Sequence, residues 1–451
     1  MTALKKFPVI VGLGATGLSC ARYLATLGVP FAITDSRVNP PGLDEIKQTM
    51  PQVLVSVGGF DEALLSQASE IILSQGVPLK DPVISDCRKQ GIPVIGDMEL
   101  FARQNKTPVV AITGSNAKST VTTLVGEIGK RAGLKVKVGG NLGPPVLDLL
   151  LDQEQPDYYV LEISNFQLEV TSSLQASIAT ILNISPDHLD CYDGFSDYVA
   201  AKQRVYQHCD TAVFNRDDLL TFPENKDIKQ FRSFGLSEPE EGEYGIRQIA
   251  DKIYLCRGDV KLLSCQQLAL WGRHNWANSL AAIAIAQQMS IPLGVILEVL
   301  KEFAGLPHRC QKIAVEKGVT WYNDSKGTNV GATCAALSGL GPTIPGKIVW
   351  LAGGLAKDGD FQQLIPFAQE FMRQIILFGQ DAKQIAEAMI PAEVPIVFVK
   401  DLAHGVELAN RKAEPGDMVL LSPACASFDM FSNYAHRGEV FCQLVKELIH
   451  G

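Results

Sequence analysis

Short apolar runs alternate with helix-like stretches along nearly the whole chain. This alternation constrains the fold more than any motif. A strand that returns through a helix runs parallel to the one before it, so the chain builds helix-covered parallel sheets. The strand-like runs fall at residues 7–13, 31–35, 53–57, 71–74 and 94–95, then at 109–113, 158–163 and 178–184. A last group falls at 319–322, 347–352, 375–378, 396–399 and 418–421. The expected fold is α/β in three domains, at 1–96, 97–305 and 306–451. The length of 451 residues agrees, at roughly 150 residues per domain. The more polar stretch 222–263 reads as a peripheral β-rich insertion in the second domain, and Ala-rich 278–289 as a helix near its end.

Composition narrows the function classes. Apolar residues make up 46% and charged residues 20%, enough for several ordinary cores. The 40 Lys and Arg against 49 Asp and Glu leave a net charge of −9, which argues against coating nucleic acid or an anionic membrane. No run of 18 or more apolar residues occurs, so no membrane-spanning helix is expected. The ten cysteines form no CxxC pair. They read as free thiols in a reducing compartment, and a cytoplasmic location is expected. Lys5 and Lys6 precede an apolar stretch that superficially resembles a signal peptide. Gly12, Gly14 and Gly17 mark it instead as a first strand and turn.

Those glycines open the first motif, Gly12-Leu13-Gly14-Ala15-Thr16-Gly17, with Asp35 ending the next strand. The pattern suits a phosphate at a helix N-terminus and an acid on a ribose or base edge. Alone it would suggest NAD, and the plain alternative is a tight turn that binds nothing. A second turn, Gly114-Ser115-Asn116-Ala117-Lys118-Ser119-Thr120, also joins a strand to a helix. Its backbone amides would cradle phosphates, Lys118 would face the β- and γ-phosphates and Ser119 would meet Mg²⁺. The usual glycines are missing at Ile112 and Ala117, so the context carries this reading. Glu162 ends an apolar strand, and Asp187-His188 follow the next. An acid and a histidine there suit a metal site. Pro307-His308-Arg309 stands at the boundary to the last domain, and 324–329, Gly353–Lys357 and 422–428 cluster at strand ends of the last sheet. Lys202 and Asn275 carry no signal of their own.

Taken together, these segments resemble the Mur ligases, the ATP-dependent amide-forming enzymes of peptidoglycan precursor synthesis, and most closely their D-glutamate-adding branch. The resemblance implies a Rossmann-like first domain, a P-loop-type central ATPase domain and a Rossmann-like third domain. The first domain would bind UDP rather than NAD, through Gly14, Ala15, Thr16, Asp35, Ser36, Arg37 and Gly76, with Asn141 reaching in from the second. ATP would be held by Gly114 to Thr120 and Asn275, with Arg309 and Asp324 closing from the third domain. Ser119, Glu162, His188 and a carbamylated Lys202 would hold two Mg²⁺ ions. Lys326, Thr328, Lys357, Ser427 and Phe428 match the D-glutamate pocket. Lys118, His188, Lys202 and Lys326 would be the catalytic groups. The implied substrates are UDP-N-acetylmuramoyl-L-alanine and D-glutamate, and a monomer is expected. Ala15, Ala117, Leu355 and Tyr434 depart from the family pattern. The rivals are a sister ligase, a folylpolyglutamate synthase-like ligase, an NAD-dependent oxidoreductase and a non-catalytic nucleotide-binding regulator.

Overall fold

The computed structural model describes residues 6–187, 191–270, 272–356 and 359–450. Three sheets organise them. The first holds β1 (Val9–Val11), β2 (Ala32–Asp35), β3 (Leu54–Val57), β4 (Ile71–Leu73) and β5 (Val94–Ile95). Its order is β3-β2-β1-β4-β5, parallel throughout. The chain therefore reverses its direction of travel across the sheet at β1, directly below the first glycine turn. Gly17 is required there, because a Cβ would collide with the carbonyl of Gly12 and approach Ser74 Oγ to 2.9 Å.

The second sheet holds β6 (Val109–Thr113), β7 (Val136–Gly140), β8 (Tyr158–Glu162), β9 (Ile178–Ile181), β10 (Thr211–Asn215), β11 (Gln230–Phe234), β12 (Tyr244–Ile249), β13 (Lys252–Arg257) and β14 (Val260–Ser264). The order is β14-β13-β12-β11-β10-β9-β6-β8-β7. The expected peripheral insertion is not a separate appendage. β11 pairs parallel with β10, and the antiparallel β12, β13 and β14 extend the same sheet. The sequence reading missed β7 and β10. β7 is only partly buried and carries Lys137, Gly139 and Gly140, which blunt its apolar signal.

The third sheet runs β15-β16-β20-β17-β18-β19, from β15 (Gln311–Glu316), β16 (Val319–Asn323), β17 (Ile348–Gly353), β18 (Met372–Phe378), β19 (Ile396–Phe398) and β20 (Met418–Leu421). Only β15 is antiparallel among these pairings, and the sequence reading missed it because it forms a solvated hairpin edge.

The first two sheets share one apolar core. Ile10, Ile33 and Ile72 cluster with Ala111, Leu161 and Ala179. The link is helix Val146–Leu151, which packs on helices Ala15–Thr26 and Asp97–Gln104. Ser19 Oγ donates to Asp148 at 2.8 Å, and Arg22 bridges Glu45 and Asp148 across the same seam. The third sheet keeps its own cores, around Trp350 on one face and Trp321 on the other. All ten cysteines are free. Among the described residues no helix is long and apolar enough to cross a membrane.

Candidate functional site

β6 is the strand at which the second sheet changes direction, with β8 on one side and β9 on the other. Ligands of open α/β sheets bind at that position, beyond the strand C-termini. The loop after β6 is pinned from the β9 side. Ser115 N and Asn116 N donate to Asn183 O and Oδ1, at 2.9 and 2.8 Å. Ser115 Oγ also donates to Ser185 O at 2.8 Å and contacts the Tyr198 hydroxyl at the same distance. Ala117 takes φ = +65° immediately before helix Lys118–Arg131. That is left-handed backbone, where a glycine would be relaxed. Lys118 Nζ donates back to Gly114 O and Ser115 O, at 2.8 and 3.1 Å. Burial pulls its pKa below the usual lysine range.

Glu162 and Lys202 meet this loop. Glu162 is buried at the end of β8. Its Oε1 accepts from Asn141 Nδ2 at 2.7 Å, while its buried Oε2 has no hydrogen-bond partner among the described residues. Lys202 is 1% exposed. Its Nζ donates to Gly114 O at 3.0 Å and lies 4.6 Å from the centre of the Tyr198 ring. Burial, helped by Lys118, pushes its pKa well below the usual value, against the pull of Asp187. Tyr198 and Lys202 are four apart on helix Phe195–Gln203, so both side chains share a face. That spacing was readable in the sequence and would have singled out Tyr198.

The third domain closes the cleft. Arg309 Nη2 donates to Ser119 Oγ at 2.7 Å, and Asn329 Nδ2 to Asp187 Oδ2 at 3.1 Å. Asp324 accepts from Ser422 Oγ and from Cys310 N. Burial raises its pKa to about 6, against the lowering effect of those bonds and of Arg309. Lys326 Nζ sits 4.1 Å over the Tyr434 ring. Together these groups enclose a cavity of about 790 Å³, lined also by Glu162, Asn275 and Thr328. Ser427 is buried, and Phe428 is 70% exposed beside it.

Arg437, which the sequence reading passed over, ties these loops together. It is fully buried on helix Tyr434–His450. It donates to Ser325 Oγ and to the carbonyls of Ser325, Gly353, Cys425 and Ala426. Three of the strand-end loops singled out in the sequence therefore hang on one guanidinium.

In the first domain, Gly14 caps helix Ala15–Thr26, which carries Thr16, and Gly76 lies in the turn after β4. Ser36 and Arg37 follow β2. Asp35 accepts from Leu13 N, and from Arg37 N, Nε and Nη2. Burial opposes its charge, but the Arg37 and Leu13 bonds together bring the carboxyl below its usual range. Four bonds fill a carboxylate's acceptor sites. Asp35 thus holds Arg37 in place, and no acceptor site is left for the ribose hydroxyls of a dinucleotide. Asn141 lines the large cavity through its bond to Glu162.

Whether these residues suit a divalent cation turns on Glu162. A buried carboxylate oxygen with no hydrogen-bond partner among the described residues, on the same cavity as Ser119 and the phosphate loop, is the hard oxygen donor that Mg²⁺ takes. Lys202 as an ammonium does not suit a cation. Among the described residues no three His, Cys, Asp or Glu side chains converge as a metal cluster. His188 and Lys357 lie outside the described residues.

Known proteins match this geometry over nearly the whole chain. Residues 6–96 match the family described as Mur ligase MurD-like, N-terminal domain. Residues 112–286 match the Mur ligase middle domain, and 308–425 the Mur ligase, glutamate ligase domain. The UDP-N-acetylmuramoylalanine–D-glutamate ligase of Legionella pneumophila (strain Lens) is 46% identical over 443 residues, 98% of this chain and 99% of the relative. The enzyme of that name from Alcanivorax borkumensis is 48% identical over 444 residues, with the same coverage. Among solved structures, UDP-N-acetylmuramate-alanine ligase MurC from Thermotoga maritima superposes with a TM-score of 0.61 at 16% identity. It covers 98% of this chain and 100% of that one. MurF from Acinetobacter baumannii gives 0.60 at 18%, covering 98% and 90%. At such identities the structures speak for the fold alone. The three domain matches and the near-full-length relatives place the chain in the Mur ligase family, within its UDP-N-acetylmuramoylalanine–D-glutamate ligase group.

Proposed function

We propose that this enzyme joins D-glutamate to UDP-N-acetylmuramoyl-L-alanine at the expense of ATP, in peptidoglycan precursor synthesis. The alanyl carboxylate attacks the γ-phosphorus, giving an acyl phosphate and ADP. The D-glutamate amine then attacks the acyl carbon, and the tetrahedral intermediate expels phosphate. The observation that carries this reading is the Arg309–Ser119 bond. It sets a third-domain cation on the phosphate loop, and in this reading Lys118 and Arg309 would flank the transferring group. Fixed cations are needed because nucleophile and γ-phosphate are both anionic.

Glu162, Ser119, His188 and a carbamylated Lys202 would hold Mg²⁺. Bound there, the metal would screen the repulsion between carboxylate and phosphate. Carbamylation needs a neutral amine: Nζ bonds to CO₂ carbon and gives up a proton to solvent. The buried Lys202, with its depressed pKa, supplies that amine. UDP would sit at the first glycine turn with Arg37 facing its anion. D-Glutamate would sit among Lys326, Thr328, Lys357, Ser427 and Phe428, where the lysines pair with its carboxylates.

Lys118→Ala tests the reading at its centre. ADP formation should fall by at least about a hundredfold in a folded variant, as for loss of a transition-state donor. Turnover near wild type would overturn the phosphate-loop assignment. Lys202→Ala should lose activity and recover part of it with added formate or acetate. Full activity of an enzyme whose Lys202 shows no added carboxyl by native mass analysis would overturn the carbamate.

A further inference from the structure

β9 ends at Ile181, but its pairing with β6 continues beyond both strands. Leu182 N donates to Thr113 O and Ser115 N to Asn183 O, at 3.0 and 2.9 Å. From there the Asn183 side chain takes over the ladder. Its Oδ1 accepts from Asn116 N at 2.8 Å, and its Nδ2 donates to Asn116 O at 3.1 Å. One carboxamide thus pairs both backbone groups of Asn116, as a neighbouring strand would. The clasp stands on a fixed base. Asn215 Nδ2 donates to Leu182 O at 3.2 Å, and Ile184 N donates to Asp218 Oδ2 at 2.7 Å.

Ala117 follows directly, at φ = +65°. The peptide that leads into it carries Asn116 O, the atom that Asn183 holds. On its other side Val121 N donates to Ala117 O at 3.0 Å and starts the helix. The alanine is therefore fixed from both flanks in left-handed backbone, which is unfavourable for an L-residue. Strain of this kind persists only where the surroundings over-determine it. A glycine would adopt the same conformation freely.

We propose that Asn183 is a positioning residue for phosphate binding, whose clasp on Asn116 holds Ala117 left-handed and so replaces the freedom of the missing glycine. The proposal rests on the ATP-dependent reading above. Without the clasp, Ala117 relaxes out of the left-handed region, and the first amides of helix Lys118–Arg131 lose their aim. A nucleotide must then restore the loop, and its apparent affinity falls with the fraction of chains still competent.

The test is equilibrium binding of the β,γ-imido analogue of ATP, with Mg²⁺, to the full chain. Wild-type enzyme is compared with Asn183→Ala, with Ala117→Gly and with the doubly substituted chain. Asn183→Ala should raise Kd about tenfold, for the loss of two hydrogen bonds to the loop. In the Ala117→Gly background the same substitution should cost about threefold or less, because glycine stays left-handed without the clasp. An asparagine that merely supports the fold would cost the same factor in both backgrounds, and that result would overturn the proposal. Should Asn183→Ala not fold, Asn183→Asp serves in its place. It keeps the acceptor for Asn116 N and loses the donor to Asn116 O, and its added charge acts alike in both backgrounds. A wild-type enzyme that binds no nucleotide would overturn the ATP-dependent reading itself, which is a different result.

Discussion

Ala117 shows how a departure from a sequence pattern becomes a structural cost. The family pattern has glycine before the loop lysine, and this chain adopts the glycine conformation with alanine, at φ = +65°. Left-handed backbone costs an L-residue about 1–2 kcal/mol, partly offset because alanine restricts the unfolded chain. Ala117→Gly should therefore stabilise the protein by roughly 0.5–1 kcal/mol in chemical unfolding and leave Lys118 on its loop. Asp324 carries strain of another kind. Its folded pKa of about 6 lies above the ordinary carboxyl value of 3.8. The folded state then binds the extra proton, so this contribution is complete below pH 4 and is lost as pH rises through 6. Asp324→Asn should raise stability by about 1–3 kcal/mol at pH 7.5 and by little at pH 4. Unfolding midpoints at the two pH values check this. Asp324 and Arg309 were legible in the sequence through their motifs. Tyr198 could have been found by its four-residue spacing from Lys202, whereas Arg437 could not, because the loops it ties together lie far away in the chain.

At the scale of elements, most strands of the three sheets were legible, since buried parallel strands write themselves as continuous apolar runs. The misses were β7, β10 and the hairpin strand β15, where edge position or partial exposure dilutes the signal. The loops after β16, β17 and β20 were read as one cluster, and Arg437 is the physical reason they stay one. Arg437→Met would remove the guanidinium donors to the carbonyls of Ser325, Gly353 and Cys425, and one of the two donors to that of Ala426. A loss of about 2–5 kcal/mol is expected, with the KM for D-glutamate rising more than that for ATP. Lysine should not restore it, since an ammonium lacks the planar fork that reaches several carbonyls at once. Equal changes in both KM values would count against loop positioning.

The whole molecule is two bodies more than three. The first and second sheets share an apolar core through helix Val146–Leu151, whereas the third domain meets them through polar contacts and the packing of helix Val330–Leu340 on helix Arg273–Gln288. Leu147 is fully buried in that shared core. Leu147→Ala should cost about 2–5 kcal/mol and lower the calorimetric transition of the first two domains together, leaving that of the third in place. Two separately shifting transitions for the first and second domains would contradict a common core. The sequence did not reveal this fusion, because its three sheets looked alike and equally separate.

The central claim is that this chain forms an amide bond to D-glutamate by way of ATP. The most direct measurement is ADP and phosphate release with UDP-N-acetylmuramoyl-L-alanine, Mg²⁺ and ATP, scanned over D- and L-amino acids. Release stimulated by D-glutamate, and not by L-glutamate, L-alanine or a diamino acid, is the expected result. Equal release with any amino acid, or a preference for one of the others, would contradict the account.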